Sequence, residues 1–162
     1  REIEEHKNKK CFIICSGSIG RCLVPRIVDR YPMVHDFYIL AHNIKIHLNW
    51  ISEYSSFLQA FNFPTVLLLR LTRDISNYFI EQGRIYLQLD EPQDALDCFL
   101  HAQKLEKSAN ERDKKLSTGN NTEVYRAYVE YRERLDQLEG ENGLVSQAQH
   151  GMRKKGLPLP ST

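Results

Sequence analysis

The sequence is poor in most of the features that announce a chemistry. No segment approaches the ~18 consecutive apolar residues of a membrane span; a run such as Val66 to Leu69 stops at Arg70. Neither charge dominates: 22 Lys and Arg stand against 21 Asp and Glu, for a net charge of +1. Nothing global therefore favours nucleic acid or an anionic membrane as partner. The basic stretch Arg153-Lys154-Lys155 is too short for a nucleic-acid patch. Cysteine is sparse, with Cys11, Cys15, Cys22 and Cys98 as the 4 present, and none is spaced C-x-x-C. That excludes the usual paired-thiolate zinc site. The 6 histidines are scattered, and His42 and His47 are out of step with a helical turn. No metal and no cofactor is expected. The opening residues REIEEHKNKK lack the apolar core and cleavage site of a signal peptide. Reduced thiols and a cytoplasmic location follow as expectations, and the sequon Asn120-Asn121-Thr122 is then accidental. A chain that opens on Arg1 rather than methionine reads as a fragment, a processed product or a trimmed chain.

What is present is an ordinary globular composition, 41% hydrophobic and 27% charged. Cys11 to Cys15 is a short apolar run stopped by Ser16-Gly17-Ser18-Ile19-Gly20, as a buried strand would be. Leu23, Val24, Ile27 and Val28 recur at helical spacing, with Pro25 in the first turn and Tyr31-Pro32 as the stop. Phe37 to Ala41 reads as a second strand. Ile44, Leu48 and Ile51 mark a second helix, with Trp50 nearby. Residues 1–56 are thus expected to be an incomplete parallel β-α-β-α segment. Two strands do not make a stable sheet, and Thr65 to Leu71 is the candidate third strand. Its leucine-rich, glycine-free continuation into a helix favours helix, which would leave the sheet truncated.

The expected class is α+β, mostly α. Residues 57–139 form a helical region, and 140–162 a disordered tail. Within the helical region, Asp113 to Asn121 is a polar linker. The stripe Val124, Tyr128, Tyr131, Leu135, Leu138 then marks a further helix, ended by Gly140 and Gly143.

Residues 76–109 carry a more specific pattern. With Ser76 in first place, Phe79, Gly83, Tyr86, Ala95, Phe99 and Ala102 fall at the spacing of one tetratricopeptide repeat. Such a repeat is two antiparallel helices in about 34 residues, small where the helices touch and large beside the contact. Gly83 and Ala95 would let the backbones approach, Tyr86 and Phe99 would fill the groove, and Asp90 would cap the second helix ahead of Pro92. Four positions depart from the family: Gln82 for leucine, Asp90 for the turn glycine, Pro92 for an aromatic and Lys107 for the closing proline. There is no second copy. A lone repeat cannot bury its own faces, so residues 65–75 and the helix over 122–138 are expected to flank or cap it. The resemblance implies a peptide groove lined by the first helix. Here that means Asn77, Ile80, Arg84, Leu87 and Gln88, with Arg84, Asn77 and Gln88 able to hold backbone or a carboxylate.

The glycine stretch offers a rival. A strand-to-helix loop can cradle a phosphate on backbone N–H groups. Ser16, Gly17, Ser18 and Gly20 would do so, with His42 at the same carboxyl edge of the sheet. The loop has neither the lysine of a P-loop nor the glycine pattern of a dinucleotide fold, and Asp36 begins the second strand where a ribose-binding acid would end it. The segment from Phe12 to Trp50 also resembles, faintly, the receiver-like or TIR-like openings that precede tetratricopeptide arrays in large multidomain proteins, some with an ADP-ribosyltransferase domain elsewhere. No motif of that enzyme is matched, so no catalytic residue carries over.

The reading that covers most of these signs is a non-enzymatic scaffold or adaptor that binds a protein or peptide. Self-association through an unpaired sheet edge or a helical face is a further expectation. The alternatives are a nucleotide- or phosphate-binding α/β domain of a larger protein and an incomplete fragment without activity of its own.

Overall fold

The computed structural model describes residues 10–31, 34–116 and 122–160. The chain divides into two compact units, residues 1–68 and 69–162. As expected from the pattern along the chain, the fold is α+β and mostly helical, with a small parallel sheet first and helices after it.

The first unit runs β1 (Cys11–Ser16), α1 (Gly17–Ile27), β2 (Val34–Leu40), a 3-10 turn (Ile44–His47), α2 (Leu48–Glu53) and β3 (Leu58–Phe61). The strands pair in parallel in the order β1-β2-β3. Both crossovers therefore step the same way, and right-handed connections put both helices on one face. Alternation along the strands aims Ile13 and Cys15, Phe37 and Ile39, and Leu58 and Ala60 at that face. There they join Val24 and Ile27 of α1 and Trp50 of α2 in one apolar cluster. The opposite face carries an aromatic row: Tyr38 lies 6.4 Å from Phe12 and 6.3 Å from Phe61, ring centre to ring centre.

Two expectations change here. The sheet is not left at two strands, because β3 supplies the third. It comes from 58–61, in the region read as helical, and this carries the α/β unit past residue 56. Thr65 to Leu71, the competing candidate, is helix. In addition, Ser16 to Gly20 is not a loop. Ser16 is the N-cap of α1, its hydroxyl accepting from the Ile19 N–H at 3.4 Å, and the glycines form the first turn. Pro25 consequently sits inside the helix rather than at its start. It removes a donor to the Arg21 carbonyl, and both residues are exposed, so water can replace the lost bond.

Helix α3 (Pro64–Gln88) crosses the boundary between the units, and α4 (Pro92–Leu116) follows. In the second unit they form an antiparallel hairpin. The Ser76 hydroxyl donates to the Ala102 carbonyl at 3.2 Å, and the Phe79 and His101 rings lie 4.8 Å apart. A Cβ on Gly83 would come within 2.5 Å of the Phe99 ring, so only glycine lets the helices close to this distance. With Lys107 where the repeat family has its closing proline, α4 runs on to Leu116. Each helix has 25 residues, which exceeds what a 34-residue unit can hold in two helices.

Between the helices, Asp90 is not the N-cap of α4. It lies at φ 60°, with Asp90 N–H on the Leu87 carbonyl at 3.2 Å and Glu91 N–H on the Tyr86 carbonyl at 2.8 Å. This is a Schellman motif at the end of α3, with aspartate where glycine is usual. The Glu91 carbonyl takes the first bond of α4, from Ala95 N–H at 3.1 Å.

Two further helices pack on α4: α5 (Thr122–Glu139) and α6 (Leu144–Lys154). The latter lies in the stretch expected to be disordered. Its polar composition hides a stripe, Leu144, Val145, Ala148 and Met152, which joins Ala95, Leu96, Phe99 and Leu138 in the core. Gly151 lets it approach the start of α4, since a Cβ there would sit 2.9 Å from Pro92 Cβ. Of the stripe read for α5, Val124 and Tyr128 lie outside the residues whose side chains are described, while Leu138 is fully buried.

Candidate functional site

The N-terminal candidate is filled by the protein itself. A Cβ on Gly17 would meet the His47 imidazole at 2.5 Å, so that ring rests on the first turn of α1. Trp50 Nε1 donates to His47 Nδ1 at 3.3 Å, which fixes the ring and requires a lone pair on that nitrogen. A Cβ on Gly20 would meet Ile39 at 2.7 Å and Trp50 at 2.9 Å. Both glycines are thus packing glycines. Ser18 is exposed, the Ser16 hydroxyl serves as the cap, and His42 is exposed beyond the end of β2. The imidazole on the glycine turn is His47, which no spacing in the sequence pointed to. Among the described residues β1 ends the sheet, so there is no further strand to form the second wall of a switch-point crevice.

The helical candidate is partly closed. Asn77 and Gln88 are exposed, as the resemblance implied. Ile80 is not: only 4% exposed, it lies in the core with Leu96, Phe99 and Leu138. Leu87 packs half-buried against the same core. The reason is α5 and α6. They bury the face that an open groove would present, so aliphatic positions on the first helix become core positions.

Arg84 stands at the rim of what remains. Its guanidinium pairs with Glu81 at 2.8 Å, both side chains well exposed. Such a pair contributes about 0–1 kcal/mol and exchanges readily. Arg84 also lines a cleft of about 350 Å³ with Asp136, Asn142, Leu144 and Gln147. Its far wall is the tight turn between α5 and α6, where Gly143 N–H donates to the Gly140 carbonyl at 2.7 Å. A Cβ on Gly143 would strike backbone at 2.7 Å, so the turn needs glycine there. Asn142 and Gln147 are hidden in the sequence with α6, and Asp136, on the expected α5, gains its place in the cleft only from the turn that follows it. The apolar spacing from Leu144 to Met152 was the available signal.

One buried ionisable group stands out. Glu106 is fully buried on α4, with Arg134 of α5 at 3.4 Å. Burial raises its carboxyl above the usual range, while Arg134, the Ser76 hydroxyl and Arg73 pull the other way. The Cys98 thiol is also pushed up, by burial first and then by Asp94 and Asp97, and Cys15 by burial. Neither has the depressed pKa of a nucleophilic thiolate. Among the described residues no group of three His, Cys, Asp or Glu side chains could hold a metal ion. No helix among them is long and apolar enough to cross a membrane.

No family model, curated protein or solved structure matches the chain.

Proposed function

We propose that the protein is a non-enzymatic interaction module of the cytoplasm whose tetratricopeptide-like helical unit binds another protein or a peptide. The observation that carries the reading is the contact of Gly83 with Phe99 in an antiparallel hairpin, with Ala95 and Ala102 buried beside it. These residue types at this spacing are what the repeat's packing requires. The binding face is the exposed remainder of the first helix: Asn77, Arg84 and Gln88. It is narrower than the face expected from sequence, since Ile80 and Leu87 serve the core.

The phosphate-binding alternative is less well supported. The turn it would use is occupied by His47, and its glycines are needed for packing.

The test is photo-crosslinking in the cell from a reactive side chain placed at Asn77 or Gln88 of the full chain. A discrete protein adduct is expected, and Arg84→Glu should diminish it. An adduct pattern no different from that of a control at exposed Lys45, and unchanged by Arg84→Glu, would sink the reading.

A further inference from the structure

The cleft at Arg84 does not end at the α5–α6 turn. A second cleft of about 380 Å³ continues from it, and the two share Asn142 and Gln147. Gln147 Nε2 donates to the Asn142 carbonyl at 2.9 Å, which ties the join together. Beyond it lie Ser146, Gln149, His150 and Arg153, the outer face of α6 at helical spacing. The amides of Asn142, Gln147 and Gln149 and the hydroxyl of Ser146 therefore line the middle and far stretch, and such groups can both donate to and accept from an extended backbone.

The charges along the strip alternate. Arg84 stands at one end, Asp136 and Glu141 flank the middle, and Arg153 stands at the other end. Among the described residues no ion pair engages Asp136, Glu141 or Arg153. From Gln147 to Arg153 the helix advances about 9 Å, roughly three residues of extended peptide. The charge pattern describes the ligand, and this rise sets the scale of its far half.

We propose that this strip binds an extended peptide carrying an acidic, a basic and an acidic residue in that order, the last two about three positions apart, with its acids on Arg84 and Arg153 and its base between Asp136 and Glu141. The inference rests on the helical unit being a protein-binding module and specifies the ligand. It adds α6 to the site, and α6 played no part in the repeat register.

The probe is a blocked heptapeptide, Glu-Ser-Ser-Lys-Ser-Ser-Glu, titrated into the full chain by calorimetry beside its charge-reversed counterpart, Lys-Ser-Ser-Glu-Ser-Ser-Lys. The first should bind about tenfold more tightly than the second, the sum of several exposed charge pairs. Arg153→Glu should remove most of that preference. Arg153→Gln, milder toward the end of α6, should reduce it by about threefold. Equal affinity for the two peptides, or no heat from either at millimolar concentration, overturns the proposal. So does a preference untouched by both Arg153 variants. Failure here together with a discrete adduct at Asn77 or Gln88 would reject the strip and leave the broader reading standing. An adduct pattern no different from that at Lys45 and unchanged by Arg84→Glu, with neither peptide bound, would reject the broader reading as well.

Discussion

The two units solve the same close-packing problem with the same residue and different partners. In the α/β unit, Gly17 and Gly20 let a helix end approach an imidazole and an indole. In the helical unit, Gly83 lets a helix flank approach the Phe99 ring. By sequence, Gly17 and Gly20 could line a phosphate-binding turn as well as a plain one, and in the fold they serve the core. Gly83 reads as a packing position and serves as one. A glycine followed by a helix is ambiguous in sequence, because a missing Cβ can make room for a phosphate or for a neighbouring ring. A glycine that recurs in register with small and aromatic residues is less so, since the register names what fills the space.

The sharpest way to break this comparison is Phe99→Ala. The ring is fully buried, and its loss costs about 3–5 kcal/mol. Thermal unfolding followed by circular dichroism should show the helical signal melting far earlier. The single tryptophan, Trp50, belongs to the other core, so its fluorescence should follow a separate transition. A fluorescence transition that shifts equally would show that the two cores do not melt independently.

Next in size is Gly20→Ala. The added methyl meets Ile39 and Trp50 inside ordinary contact distance. Overpacking of this kind costs about 1–3 kcal/mol. Chemical denaturation read at Trp50 measures it. A neutral result would return the glycine stretch to the ligand hypothesis.

A smaller effect, and a pH-dependent one, is expected from Glu106→Gln. The folded state raises the pKa of this carboxyl. Folded protein therefore holds the proton more tightly than unfolded protein, and stability falls as pH rises from the unfolded pKa through the folded one. The glutamine variant should be the more stable at neutral pH, with its advantage shrinking as the solution is acidified. Denaturation midpoints across that range would show it. An advantage that grows toward acid would mean that Arg134, not burial, governs the site.

The smallest change is Asp90→Gly. An L-residue in the left-handed region costs about 1–2 kcal/mol. Glycine relieves this but removes the ion pair of Asp90 Oδ2 with Lys155 Nζ at 2.7 Å, an exposed contact worth about 0–1 kcal/mol. A net gain of about 0.5–1 kcal/mol is expected in the melting of the helical unit.

Much of the fold was legible where one face of an element is apolar and long. β1 and β2 announce themselves as short apolar runs, and the hairpin from Ser76 to Ala102 and the stripe ending at Leu138 by period. β3 did not, because four residues are too few for a period to register. Leu58 and Ala60 point inward, and the flanking Ser55-Ser56 and Asn62-Phe63-Pro64 were the signs available. α6 did not, because glutamine, serine and glycine dilute a stripe that only the core completes. The candidate site was half legible for the same reason. Arg84, Asn77 and Gln88 could be placed by register, but the burial of Ile80 depends on helices that the register does not contain.

The stacking of α5 and α6 on α4 has a consequence for connectivity. Leu138, Ala148 and Met152 are held in the core with Ala95, Leu96 and Phe99, and none of these contacts needs the covalent link between α4 and α5. Cutting the chain at 117–121 would give two polypeptides whose apolar faces are already complementary. Expressed apart and mixed, they would reconstitute the helical unit as a split protein, with reassembly as the reporter.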